Sequence, residues 1–215
     1  MVLKAQPPIL YLITSGETNR ETRPTSPEFK RLLTLISSAV LAGIHLIQLR
    51  EKNLPARTLY ELALRGAELT RTSQTRLLVN DRADIARAAG CDGVHLTTRS
   101  LDAGIVRKTF DTDILIGAST HSIGEAERAR DLGADFALFG PIFDTPSKRA
   151  FGPPLGLEQL EAVTGRLKGF PLIAIGGITQ QNARAALSAG ASGIAAIRLF
   201  SEPHDLKAIV RKIVG

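Results

Sequence analysis

Gln48, Arg50 and Lys52 lie two residues apart, so on an extended chain their side chains project to one side. An amide and two cations placed this way suit an anion, because charge-assisted hydrogen bonds to phosphate oxygens are the strong ones. Further along, Asn80-Asp81, Ser119-Thr120-His121, the run from Gly140 through Asp144, Thr145, Ser147 and Lys148 to Arg149, and Gly176-Gly177 add an amide, a carboxylate, hydroxyls, cations and bare backbone amides. Brought to one rim, these groups describe a pocket for phosphate oxygens, with Asp81 available to a metal ion. Each group taken alone also has a plainer reading. Arg50 and Lys52 suit solvated strand-end charges, Gly176-Gly177 a tight turn, and Asp81 the cap of a following helix. His45 and His95 sit in apolar runs and read as core histidines, and His204 as a turn residue. His121 follows two hydroxyl residues and is open to structure or acid/base chemistry, while Cys91 beside Gly90 reads as packing.

Those stretches need a scaffold that gathers them. Apolar runs at Ile9 to Thr14, Ile44 to Leu49, Leu77 to Asn80, Gly93 to Leu96, Ile114 to Ala118, Phe136 to Phe139, Leu172 to Ile175 and Gly193 to Ile197 predict strands covered on both faces. Between them, segments such as Pro27 to Leu41, Leu54 to Ser73, Asp84 to Ala89, Ile123 to Leu132, Leu157 to Leu167, Gln180 to Ala189 and Asp205 to Ile213 have helical period. Gly43, Gly90, Gly133 and Gly190 stand where helices must stop before the next strand. Gly90-Cys91-Asp92, Gly133-Ala134-Asp135 and Gly190-Ala191-Ser192 echo one another, as expected of a repeated half-unit. The pattern predicts an α/β fold, a single (β/α)8 TIM barrel over residues 1–215, whose strand C-termini meet at one mouth. An open doubly wound sheet is the competing arrangement, but the first βα turn, Thr14-Ser15-Gly16-Glu17, lacks the Gly-x-Gly-x-x-Gly fingerprint of a dinucleotide site.

Composition narrows the function classes. With 44% hydrophobic and 22% charged residues in 215, the chain can bury a sizeable core, which excludes disorder as its main state. One cysteine excludes an intrachain disulfide and any multi-thiolate metal cluster. No apolar run approaches the ~18 residues that cross a bilayer, and Met1 to Pro8 lacks a secretory apolar stretch, so the expectation is a cytoplasmic protein with no membrane partner. The net charge of +6 is spread along the chain, and aromatics are 5% with no Trp, which disfavours a nucleic-acid partner and suits a small phosphorylated ligand.

Read in order, Tyr11-Leu12-Ile13-Thr14, Ile47-Gln48-Leu49-Arg50-Glu51-Lys52, Asn80-Asp81-Arg82, Asp92-Gly93-Val94-His95-Leu96, Ser119-Thr120-His121, Gly140-Pro141-Ile142-Phe143 with Thr145-Pro146-Ser147-Lys148, and Ala174-Ile175-Gly176-Gly177-Ile178 resemble the thiamine phosphate synthase/TenI family through almost all of the units. The resemblance implies a (β/α)8 transferase of thiamine biosynthesis, joining hydroxymethylpyrimidine diphosphate to thiazole phosphate with release of diphosphate and a need for Mg2+. It implies that Arg50, Lys52, Asn80, Ser119 and Lys148 hold the diphosphate, that Asp81 binds Mg2+, and that Gln48 faces the pyrimidine. Thr145 and Ser147 would approach the thiazole, and Gly177 would offer its amide to the thiazole phosphate. Lys148, Ser119 and His121 are the catalytic candidates. A homodimer is implied by the resemblance alone.

This sequence departs from the family pattern twice. Where synthases carry Gly-Gln-x-Asp after strand four, with the aspartate as second metal ligand, this chain has Thr97-Thr98-Arg99-Ser100. Ser100 thus replaces a carboxylate, and Arg99 adds a repelling charge. That segment resembles the TenI branch, which includes a metal-independent thiazole tautomerase with His121 at the acid/base position. The second departure is Arg198, at the end of strand eight, where synthases tend to carry Ser beside the phosphate. Besides the synthase, the tautomerase and a non-catalytic phosphate-ligand-binding barrel stay open at this point.

Overall fold

The structure, a computed structural model, describes residues 8–110, 114–146, 149, 152–201 and 205–215. Its strands are β1 (Ile9–Ile13), β2 (Leu46–Leu49), β3 (Arg76–Asn80), β4 (Gly93–Leu96), β5 (Leu115–Thr120), β6 (Phe136–Phe139), β7 (Leu172–Ile175) and β8 (Gly193–Ala196). Helices α1 (Pro27–Ala42), α2 (Ala56–Thr70), α3 (Ala83–Ala88), α4 (Ala103–Phe110), α5 (Ile123–Asp131), α6 (Gly156–Arg166), α7 (Ala183–Ser188), α8 (Arg198–Ser201) and α9 (Leu206–Val214) surround them. The strands pair in parallel in chain order, and β8 pairs back onto β1 through Ile9 opposite Gly193 and Leu12 opposite Ala196. This closed ring is the expected (β/α)8 barrel and removes the open doubly wound sheet.

Alternation along the strands splits the core in two. Leu10, Leu12, Ile47, Val79, Val94 and Ile116 point outward and pack with helix residues such as Phe29, Ile36 and Leu62. Ile9, Tyr11, Ile13, Leu46, Leu78, Leu115, Phe136, Leu138, Ile173 and Ala195 form a second cluster made of strand residues only, which is the barrel interior. The strands therefore read as continuous apolar runs.

The echoed Gly-x-Asp junctions have a common job. Asp92 donates its N–H to Leu77 O (3.0 Å), and its carboxylate accepts from Leu77 N at 2.8 Å. Asp135 does the same with Ile116, at 2.8 and 2.7 Å. Each aspartate thus clamps the start of its strand to the preceding one. An arginine covers the outer side: Arg76 contacts Asp92 at 2.9 Å and Arg107 contacts Asp135 at 2.6 Å.

The element bounds differ from the sequence reading in places that concern the site. β5 continues to Thr120, which carries Ser119 on regular strand, in register with Leu138. β8 stops at Ala196, so Arg198 opens α8 rather than ending the strand. α4, absent from the sequence expectation, fills the gap between β4 and β5.

Candidate active site

The upper barrel interior is polar. Tyr11 Oη donates to Gln48 Oε1 (3.2 Å), Gln48 Nε2 donates to Asn80 Oδ1 (2.7 Å), and Asn80 Nδ2 donates to Asp81 Oδ2 (2.7 Å). Asp81 Oδ1 then accepts from the Ser100 hydroxyl, from Thr97 Oγ1 (3.2 Å) and from Thr97 N (3.3 Å). Gln48 and Asn80 are 2% and 7% exposed, and each retains a second amide hydrogen beyond this chain of bonds. The chain runs from the core to the rim and fixes Asp81 across the ends of β3 and β4.

Asp81 pays for that position with backbone strain. Its φ is 59°, the one positive value at a non-glycine among the described residues, and aspartate is among the few residue types that visit this region. The twist turns the carboxylate away from α3, whose N-cap is Arg82 with no side-chain capping bond. The helix-cap alternative for Asp81 is therefore wrong: the side chain serves the rim.

On the neighbouring strands, His95 Nε2 lies 2.9 Å from Ser119 Oγ. His95 is 1% exposed, and burial pushes its pKa down to about 4 against a smaller opposing pull from Asp81. Its Nδ1 has no hydrogen-bond partner among the described residues. Among the described residues the pair therefore has no carboxylate to complete a Ser-His-Asp triad. Ser119 lines two clefts at the mouth. One, of about 260 Å³, runs from the β4–α4 connection along α5 and includes Thr97, Ser100, Asp102 and Arg128. The other, of about 90 Å³, joins the ends of β5, β6 and β7 through His121, Gly140, Pro141 and Gly176.

Arg50 and Lys52 follow β2, half-buried and exposed respectively. The backbone of Arg50 is held by its N–H to Thr14 Oγ1 at 2.8 Å, and Thr14 in turn donates to Glu51 Oε1 at 2.6 Å. Glu51, 2% exposed, also accepts from Gly16 N (3.2 Å), Thr18 N (3.3 Å) and Thr18 Oγ1 (2.5 Å). A buried carboxylate thus ties the β1–α1 connection down beside Arg50. The sequence reading did not single out Glu51, yet the alternation that turned Gln48, Arg50 and Lys52 one way also turned Glu51, like Leu49, the other way.

Gly177 has φ 64°, and a Cβ there would lie 2.5 Å from Asp144 O, so only glycine fits against the loop after β6. Asn182 donates from Nδ2 to Gly177 O at 2.9 Å and accepts from Thr179 N at 2.8 Å, which locks the turn. In the facing loop Thr145 is half-buried, and Asp144 is ion-paired with Arg149 at 2.5 Å, whose hydrogen bonds and charge hold the Asp144 carboxyl below its ordinary range. Ser147 and Lys148 lie outside the described residues, as does His204.

Two expected residues stand apart from the bonded chain. His121 is exposed at the start of α5, with its N–H on Glu125 Oε2 (2.7 Å) and its Nδ1 3.3 Å from the same oxygen. Arg198 is exposed on α8. The remaining two, His45 and Cys91, are half-buried and bonded to backbone rather than set in the core. His45 Nδ1 accepts from Leu10 N at 3.1 Å, and the Cys91 thiol, pushed up to about 12 by burial and then by Asp92, points to Ala63 O at 3.6 Å.

A family model described as thiamine monophosphate synthase matches residues 10–200. The chain belongs to that family. A thiamine-phosphate synthase from a Roseiflexus species is 37% identical over 95% of this chain and 83% of its own. Another from Chlorobium phaeobacteroides is 43% identical over 81% and 84%. Among solved structures, a thiamine phosphate pyrophosphorylase from Pyrococcus furiosus superposes with TM-score 0.77 at 32% identity, covering 96% of this chain and 97% of that one. A structure described as native KDPGal, at TM-score 0.69 and 16% identity, shares the fold alone.

Within the thiamine monophosphate synthase family, the donor set at Asp81 decides whether a divalent ion fits. Asp81, Thr97 and Ser100 offer a carboxylate and two hydroxyls, all hard oxygen donors. No group of three or more His, Cys, Asp or Glu gathers among the described residues. Mg2+ is commonly held by one or two carboxylates plus substrate phosphates and water, so this set fits an ion completed by a diphosphate.

Proposed function

We propose that this chain is a thiamine phosphate synthase, a transferase that joins hydroxymethylpyrimidine diphosphate to thiazole phosphate and releases diphosphate. The observation that carries the reading is the hydrogen-bonded chain from buried Tyr11, Gln48 and Asn80 out to Asp81 and Ser100, which ends in an oxygen-rich rim inside a barrel of this family. In the reaction the bond from the pyrimidine methylene to the diphosphate oxygen breaks with its electron pair going to diphosphate, and the thiazole nitrogen bonds to the methylene carbon.

That chemistry asks for charge and placement rather than a protein nucleophile. Arg50 and Lys52 offset the negative charge that builds on the departing diphosphate, and Ser119 and the second amide hydrogen of Asn80 donate to its oxygens. Gln48, held on both sides, presents its remaining amide hydrogen to the pyrimidine. Asp81, Thr97 and Ser100 would hold Mg2+, which when bound supplies further positive charge to the diphosphate. Lys148 completes the cation set in this reading. Thr145, Ser147 and the Gly177 amide receive the thiazole phosphate, where neutralisation of Asp144 by Arg149 removes a charge that would repel it. Arg198 stands at the β8 side of the same mouth as a further phosphate contact. A cytoplasmic homodimer belongs to the same reading; no helix among the described residues is long and apolar enough to cross a membrane.

The test is formation of thiamine phosphate from the two substrates with Mg2+. Product is expected, and Arg50→Ala is expected to lower kcat/KM by about a hundredfold, the loss of one charged contact to the leaving group. No product at saturating Mg2+ overturns the reading. Metal-independent aromatisation of thiazole phosphate carboxylate, lost in His121→Ala, would put the tautomerase in its place.

A further inference from the structure

His95 is enclosed by the Tyr11 and Phe136 rings, at centroid separations of 5.9 and 6.1 Å. On β5 its register partner is Gly117. A Cβ on Gly117 would stand 2.7 Å from His95 Nδ1 and 2.3 Å from Phe136 Cζ. The glycine leaves room for the imidazole and offers Nδ1 only C–H surface, consistent with the lack of a partner for Nδ1 among the described residues. The other nitrogen, Nε2, has Ser119 Oγ at 2.9 Å.

A neutral imidazole has one N–H to place. On Nδ1 it would be a buried donor facing carbon, which forfeits its hydration without return. On Nε2 it meets the Ser119 oxygen, and the lone pair left on Nδ1 faces a Cα–H, the milder of the two mismatches. We infer that His95 is a positioning residue: it stays in the Nε2–H form, donates to Ser119 Oγ, and thereby commits the Ser119 hydroxyl hydrogen to the mouth. Ser119 then meets ligand as a donor, the polarity an anionic oxygen needs. The opposite tautomer would draw the Ser119 proton inward and present a lone pair to the same oxygen. The reading of the site as a diphosphate pocket supplies the identity of the anion; the tautomer stands apart from it.

Long-range proton–nitrogen correlation spectra of the 15N-labelled, substrate-free protein at neutral pH read the tautomer directly. A proton on Nε2 of His95 alone is expected; one on Nδ1, or on both nitrogens, overturns the assignment. In turnover, His95→Leu is expected to lower kcat about tenfold, the scale of one well-placed hydrogen bond. In a Ser119→Ala background the same change should shift kcat by less than about twofold, because its effect passes through Ser119. His95→Gln, whose amide N–H reaches toward the place of Nε2, should recover most of the loss. Equal losses in both backgrounds, or His95→Gln as poor as His95→Leu, would refute the positioning role. If His95→Leu does not fold, the spectra and His95→Gln decide. If the wild type forms no thiamine phosphate, the synthase reading fails alone: the spectra still decide the tautomer, and calorimetry with inorganic diphosphate on the same variants replaces turnover.

Discussion

Replacing Glu51 by glutamine keeps the side-chain volume and removes one lone-pair set and the charge. In the native protein Oε1 accepts from Thr14 Oγ1 and Gly16 N, and Oε2 from Thr18 N and Thr18 Oγ1. An amide can serve one of those sides through its carbonyl, and its NH2 then faces donors on the other. The Thr18 hydroxyl can rotate to accept, but the Thr18 N–H cannot, and Thr18 is 2% exposed. One orphaned buried N–H costs about 1–3 kcal/mol, and exchanging charged for neutral acceptance adds roughly 1 kcal/mol, so about 3 kcal/mol is expected. At this chain length that is a fall in Tm of about 6–12 °C. Urea unfolding should show a lower midpoint with an unchanged slope, since the loss is local and leaves the unfolded state alone. The activity readout follows from the contact between Thr14 Oγ1 and Arg50 N: a loosened Thr14 frees Arg50, and KM for the diphosphate substrate should rise more than kcat falls. A Glu51→Gln midpoint within about 0.5 kcal/mol of wild type would refute the reasoning, because surface carboxylates behave that way and buried four-fold acceptors do not.

Ser100→Asp sets a second carboxylate beside Asp81, so without metal the protein should lose about 1 kcal/mol, and calorimetry with Mg2+ should show affinity at least about tenfold tighter than wild type; unchanged Mg2+ affinity refutes the placement of Ser100 at the rim. Gly177→Ala forces a Cβ against Asp144 O and keeps a left-handed backbone, and should cost more than about 2 kcal/mol by urea unfolding, with weakened thiazole phosphate binding; a neutral result means that the loop after β6 gives way freely. His45 is held by burial below its ordinary 6.5, so between the folded and unfolded values the unfolded chain binds more protons. Its stabilising contribution is therefore complete above about 6.5 and lost as pH falls. His45→Asn, whose carbonyl can keep the bond from Leu10 N, should flatten the loss of urea midpoint on acidification from neutral pH relative to wild type; identical slopes would refute it.

The barrel was legible because its strands are buried on both faces. Continuous apolar runs bounded by Gly43, Gly90, Gly133 and Gly190 give both the strand and the helix stop, and these carry the register. Single-residue limits were not legible: nothing in Ala196-Ile197-Arg198 says whether the strand or the short helix claims Ile197. Gln48, Asn80 and Asp81, which the structure joins in one hydrogen-bonded chain, were singled out by type, as polar groups at strand ends. The pairing of His95 with Ser119 inside the barrel was not. His95 and Ser119 lie on different strands, and their contact depends on Gly117, which reads from sequence as an ordinary small residue. Glu51 was hidden for a related reason: its neighbours Arg50 and Lys52 advertise chemistry, while its own four hydrogen bonds come from a loop that no periodicity describes. The helix-cap alternative for Asp81, which stood beside the metal-ligand expectation, has the same root. A capping residue and a left-handed aspartate look alike in one dimension, and only the backbone φ of 59° separates a side chain that turns back onto its helix from one that crosses to the next strand. In a barrel, then, polar types at strand ends stand out along the chain, while the partners that meet across strands are set by a register that only the closed ring makes visible.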